Sequence, residues 1–276
     1  NRFVELMTMT TYKTLALVFW VGCLTACNES DSNDIDTSRI ILDAVLTAND
    51  DNVNMRVDLR KEGSDSIKLV LNGGDYLKAN ADTQTKVMEY QSDIFKNSYY
   101  RASFSLNLAS RYGVTLKRPE QNINYENIFP TVPTAFKLVL PLADQNFSLM
   151  AQPKLTVTWD NANINSQYLT LSQEYICNWK NATTTTERTG NTLSSNERGQ
   201  RAITINMAEF INSHKPLAYS PENPHITTTQ VEAQLDWCSL RLTLDAENKG
   251  QTHAELSNRS SIISHRDSEV LVKLTP

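Results

Sequence analysis

The sequence predicts an all-β protein, an antiparallel β-sandwich built as two units in tandem over residues 38–150 and 151–276. Three observations predict it. Apolar residues recur at every second position in one run after another, the period of a strand with one face to a core and one to water. Clusters of Asn, Asp, Gly and Pro separate the runs. Helical periodicity is nearly absent. With 276 residues the chain is long enough for two cores, and one large sandwich is the alternative architecture.

The chain opens on a different kind of segment. Lys13 precedes the apolar run Leu15-Ala16-Leu17-Val18-Phe19-Trp20-Val21-Gly22, and Leu24-Thr25-Ala26-Cys27 follows it. A charged start, an apolar middle and small residues before a cleavage point are the parts of an export signal. The uncharged stretch from Thr14 to Ala26 is 13 residues, whereas a spanning helix needs roughly 20. Asn1 to Leu6 precede the first methionine, so the reading starts the protein at Met7 or Met9. The tetrapeptide ending in Cys27 resembles the lipobox of bacterial lipoproteins. That resemblance implies cleavage after residue 26, a diacylglyceryl thioether and an amide-linked acyl chain on Cys27, and a permanent membrane anchor, since two or more acyl chains hold stably where one does not. Asn28 in place of an aspartate implies the outer membrane in that family. A plain secretory signal cut near Cys23 or Cys27 is the unlipidated alternative.

Residues 27–37 are polar and acidic, with Ile35 the one large apolar side chain after Cys27. Such a stretch buries too little to order itself, so it reads as a flexible tether. Residues 1–26 hold Arg2, Lys13 and Glu5, a net +1, so the −5 of the whole chain becomes −6 in the remainder. A mildly acidic body argues against a nucleic-acid partner, which demands a concentrated basic face.

The strands follow in order. Val53, Met55, Val57 and Leu59 alternate with polar neighbours after the turn Asn49-Asp50-Asp51-Asn52, which tolerates left-handed backbone and predicts a hairpin. Asn72-Gly73-Gly74-Asp75 lies between Ile67, Leu69, Leu71 and Tyr76, Leu77, a second hairpin signal. Tyr100, Ala102, Phe104, Leu106 and Leu108 form one stripe, and Phe136, Leu138 and Leu140 another after Pro130 and Pro133. Leu155, Val157 and Trp159 make a further strand. Asn181–Gln200 is rich in Thr, Ser, Asn and Gly and reads as a mobile excursion. A short helix is expected over Asn206–Ser213. Val231, Ala233, Leu235 and Trp237 are apolar at odd positions, and Cys238, Leu240, Leu242 and Leu244 at even ones. One residue of slip flips the face, so a β-bulge is predicted near Asp236–Cys238.

Two cysteines remain beyond the signal, Cys177 and Cys238. An oxidising compartment makes a disulfide between them the default reading, with two buried free thiols as the alternative. Cys177 and Trp179 share a face, so the indole is expected near the bridge. This pairing, with the strand Lys154–Asp160, resembles the core of immunoglobulin-like and fibronectin-type sandwiches. The resemblance implies architecture only and brings no functional residues.

No catalytic site is predicted. His214, His225, His253 and His265 have no motif around them, and no nucleophile elbow, His-Glu-x-x-His pair or phosphate loop is present. Asp50, Asp51, Asn52 and Asn54 offer oxygens for Ca²⁺ but lack the spaced ligand ladder, so no metal and no cofactor is expected. Gly73-Gly74-Asp75 matches a fragment of nucleotide-cyclase signatures without their context and reads as a turn. Trp159, Trp179 and Trp237 lie in phase with core residues and are expected buried, and Tyr99 exposed. The functional expectation is a non-enzymatic, lipid-anchored envelope module for interaction or binding, its partner an unidentified envelope protein or glycan. The alternative is carbohydrate or peptidoglycan binding, and a third reading is a hydrolase whose carboxylate pair is assembled only by folding.

Overall fold

The computed structural model describes residues 29–276 except 94–95, 106–110, 162, 181, 195–201, 214 and 220–226. Within them the alternating pattern becomes strands almost throughout. The first ten are β1 (Glu29–Asp31), β2 (Ile40–Ala48), β3 (Asn52–Lys61), β4 (Ser64–Val70), β5 (Tyr76–Ala81), β6 (Gln84–Val87), β7 (Glu89–Asp93), β8 (Lys96–Ser105), β9 (Tyr112–Arg118) and β10 (Ile123–Ile128). They are followed by β11 (Leu138–Leu140), β12 (Gln145–Ser148), β13 (Lys154–Trp159), β14 (Tyr168–Lys180), β15 (Thr185–Thr192) and β16 (Ala202–Asn206). The expected helix is α1 (Met207–Ser213), and β17 (Leu217–Tyr219), β18 (Thr227–Glu232), β19 (Gln234–Lys249) and β20 (Ser261–Thr275) complete the chain.

The all-β sandwich is what the sequence predicts. An eleven-stranded sheet runs β1-β4-β3-β2-β20-β19-β14-β15, with β8 and β7 joined at β3 and β12 at β20. The sheet β10-β9-β5-β6 faces one half of it and β11-β13-β16 the other. Pairing is antiparallel except at β1–β4, β2–β20 and β12–β20. One core holds Ile40, Leu42, Leu46, Val53, Met55, Leu77, Val114 and Leu116. The other holds Val157, Trp159, Leu169, Leu171, Leu240, Leu242, Leu244 and Leu274. Full burial of one such aliphatic side chain contributes about 1.5–3 kcal/mol.

The two cores do not divide the chain at residue 150. Phe136 and Phe147 belong to the second core, while Leu256 and Ile262 belong to the first. The cause is the length of β20, whose 15 residues pair with β2 at one end and with β12 at the other. The units are therefore fused through one sheet, and the chain crosses between cores around Pro130–Pro133.

Three further expectations are corrected. Residues 29–37 are not a loose tether: β1 pairs with β4, and Ser32, Ile35 and Thr37 are buried. What orders them is polar bonding rather than apolar burial, as described below. Asn72–Asp75 is a turn, with Gly73 and Gly74 at φ 63° and 91°, but it carries the chain from β4 in the large sheet to β5 in the facing sheet and makes no hairpin. Within Asn181–Gln200, Thr185–Thr192 is an edge strand on β14 rather than an excursion, and residues 181 and 195–200 lie outside the described residues. The Asn49–Asn52 hairpin forms as predicted, closed by Asn49 N–H to the Asn52 carbonyl at 2.9 Å.

Candidate functional site

The predicted bulge creates the first feature of interest. In the β14–β19 ladder Asn178 faces Trp237 while Trp179 faces Leu235, so Asp236 is the extra residue. The bulge lets both cysteines face inward, where Cys177 and Cys238 lie directly across the ladder and form a disulfide. The bridge ties neighbouring strands of one sheet. In this it departs from the immunoglobulin pattern, in which the bridge joins the two sheets. Trp179 lies in the same core, and its Nε1 donates to Thr185 Oγ1 at 3.0 Å.

The same bulge overturns the expectation for Trp237. Trp159 and Trp179 are buried, but Trp237 is 36% exposed on the outer face of the large sheet. Its indole lines a shallow pocket of about 350 Å³ with Leu271, Asp144, Asn146, Ser239 and Lys273. The side chains of those four polar residues make no hydrogen bond or ion pair to other described residues. Elsewhere on this face charges are matched: Arg241 meets Glu174 at 3.2 Å and Glu269 at 3.3 Å. An exposed flat ring among unengaged donors and acceptors has the composition of a small-ligand site, whose volumes start at roughly 300 Å³. A larger opening of about 650 Å³ lies at the end of the second core, with Trp179, Ile211, Leu149 and Met150 on its walls and Lys180 and Lys215 at its rim.

Histidine gives a second cluster that spacing did not announce. On β19 and β20, His265 Nδ1 lies 2.6 Å from Asp245 and its Nε2 lies 3.5 Å from Asp267. The hydrogen bond to Asp245 raises the His265 pKa above its usual value, against the opposing effect of burial. The residues lie two apart on facing strands, Asp245 opposite Asp267 and Glu247 opposite His265, a placement that only register reveals. Among the described residues no group of three or more His, Cys, Asp or Glu side chains is arranged to hold a metal. His253 packs edge-on to Tyr125 at 5.3 Å, and His214 and His225 lie outside the described residues.

The N-terminal segment is held by a buried ion pair. Arg118 and Asp75, with side chains 3% and 5% exposed, meet at 3.1 Å. Arg118 also donates to the carbonyls of Ile35 and Ser32, both at 2.9 Å, and to Thr37 Oγ1 at 2.8 Å. Ser32 Oγ donates to Asp75 at 2.8 Å, and Glu29 accepts from Tyr90 and Ser98, both at 2.7 Å. These two hydrogen bonds, Ser98 first, hold the Glu29 carboxyl below its ordinary pKa. Gly73-Gly74-Asp75 is thus structural, its aspartate the anchor of a latch.

At the seam between units the inner face of the large sheet turns polar. Asn248 donates to the carbonyls of Thr131 at 2.8 Å and Asn165 at 3.2 Å, and Ser264 donates to Thr131 at 3.1 Å. Arg266 beside them is 7% exposed and has no hydrogen bond or ion pair among the described residues. Asp50, from the turn read as lacking a Ca²⁺ ligand ladder, lines the same pocket as Arg266 and is paired with Lys137 at 2.9 Å. That bond lowers the Asp50 pKa and raises that of Lys137. Tyr99 is half-buried under the Arg56 guanidinium, 4.3 Å from its ring centre. Cys27 lies outside the described residues, and no helix among those described is long and apolar enough to cross a membrane.

Comparison with known proteins adds little to this geometry. No family model and no curated protein matches the chain. Among solved structures, a chain of "Cytokine receptor complex - Crystal form 1A" is similar at 9% identity and a TM-score of 0.31, over 86% of this chain and 95% of that one. A chain of "Cytokine receptor complex - Crystal form 2" is similar at 9% identity and a TM-score of 0.25, over 82% and 97%.

Proposed function

We propose that this chain is a lipid-anchored protein of the bacterial envelope whose role is binding: a non-enzymatic module attached through Cys27. The observation that carries the binding role is the Trp237 pocket. A bulge turns a large aromatic ring outward at a position where strand phase would bury it, and bulges serve to re-aim side chains at functional places. The glycan reading draws on the pocket's chemistry. A sugar ring offers an apolar C–H face to an indole and hydroxyl groups that both donate and accept, and Asp144, Asn146, Ser239 and Lys273 supply both partners. An envelope protein presenting an aromatic or aliphatic side chain is the other occupant that this surface fits.

The test is a fluorescence titration of the purified chain with chitotetraose, cellotetraose and muramidase-released peptidoglycan fragments, alongside a Trp237→Ala variant. Saturable quenching lost in the variant supports the glycan reading. No response to any of them moves the reading to a protein partner, sought by photo-crosslinking from position 271 in intact cells. Membrane fractionation of a Cys27→Ala variant tests the anchor, and retention of the variant in the membrane fraction would refute it.

A further inference from the structure

Among the described residues, the buried cationic side chains are Arg118 and Arg266, and Arg266 has no hydrogen-bond or ion-pair partner. A guanidinium carries five donors and a permanent charge, and an unpaired charge removed from water is costly. In the seam, Asn248, Ser264 and the backbone carbonyls are satisfied by hydrogen bonds, yet Arg266, on the same inner face of β20 as Ser264, has none. Its Nε is fully enclosed and unpartnered. Burial weighs against its charged form and Asp50 favours it from a distance, but Asp50 already answers Lys137.

The sheet opens at this point. On this edge β20 pairs with β2 through residues 261–265 and with β12 through residues 272–275, so residues 266–271 are in no strand ladder there, and β11 approaches them through the Leu138 N–H, which donates to Ser268 Oγ at 2.9 Å. A pocket of about 420 Å³ fills this window. Its walls are Ala48, Asn49 and Asp50 at the end of β2, Phe136, Lys137 and Leu138 at the start of β11, and Arg266–Glu269. The acids at its mouth are engaged elsewhere: Asp267 faces His265, Glu269 meets Arg241 and Asp50 meets Lys137. Arg266 is the cation within the pocket that lacks a counter-charge.

We propose that this window is a binding site for a small organic carboxylate, whose two oxygens pair with the Arg266 guanidinium while its apolar remainder lies against Phe136 and Leu138. The planar fork of arginine matches a carboxylate through two parallel hydrogen bonds. The site is separate from the Trp237 pocket and does not depend on lipidation of Cys27.

The experiment measures the urea unfolding midpoint of the full chain with phenylacetate, with inorganic phosphate and with chloride at equal ionic strength, in the native sequence and in Arg266→Met. The site predicts a saturable rise with phenylacetate in the native chain and none in the variant. It also predicts a higher midpoint for ligand-free Arg266→Met than for the ligand-free native chain, because an uncompensated buried charge is replaced by an apolar side chain of similar length. A lower midpoint for the variant means that Arg266 is a structural partner of Asp50, and overturns the proposal. Equal responses of both chains mean a general salt effect and overturn it too. A response to phosphate alone keeps the anion site and rejects the carboxylate.

Discussion

Replacing Arg118 with alanine tests whether the N-terminal segment is latched by polar bonding. The change removes the partner of a buried carboxylate, Asp75, and the donors that satisfy the carbonyls of Ser32 and Ile35 and the hydroxyl of Thr37. Breaking a buried ion pair from one side costs about 3–5 kcal/mol, because the remaining charge stays buried without compensation. That is a large share of the roughly 5–15 kcal/mol that holds a typical domain together. Arg56, whose side chain is 48% exposed where it meets Asp58, is the control, and its alanine variant costs less than about 1 kcal/mol. Urea unfolding measures both, and limited proteolysis reports whether cleavage within residues 29–39 accelerates in Arg118→Ala. A double change to Arg118→Met and Asp75→Leu recovers only the part of the loss due to the unpaired charge, because the carbonyls of Ser32 and Ile35 still lack their donor. Equal midpoints for Arg118→Ala and Arg56→Ala would refute the latch.

Two further outcomes follow from the second unit. Reducing the Cys177–Cys238 bridge, which joins residues 61 apart, lowers stability by about 4 kcal/mol on the chain-entropy model; an unchanged urea midpoint in dithiothreitol would reject that magnitude. His265 has a raised pKa in the folded protein, so its contribution is fully present below its unfolded value of about 6.5 and fades as pH rises through the folded value. His265→Gln therefore destabilises more near pH 5.5 than near pH 9, and equal losses at both pH values would contradict the pairing with Asp245.

The strands, the bulge and the disulfide were legible because each leaves a local trace: alternation, a one-residue phase slip and an isolated cysteine pair. The direction of Trp237 was not, although the slip was visible. Counting phase from Ala233 and Leu235 assigns the indole inward, whereas the extra residue at Asp236 passes Trp237 to the outer face before Cys238 resumes the inner one. Residues 29–37 misled for a different reason. Their low hydrophobicity is real, but order comes from Arg118 and Asp75, more than forty residues away along the chain. The His265 cluster and the Arg266 window depend on strand register and on where β2 stops, and neither is written in local spacing.

The latch has a geometric consequence for attachment. Glu29 is already fixed in β1 by its bonds to Tyr90 and Ser98, and Asn28 alone separates it from Cys27. Two fully extended residues reach about 7 Å. A lipid on Cys27 would thus leave the body almost no leash: the protein would stand on the bilayer by the β1 edge, with a set orientation, and anything it holds would be held at the membrane surface.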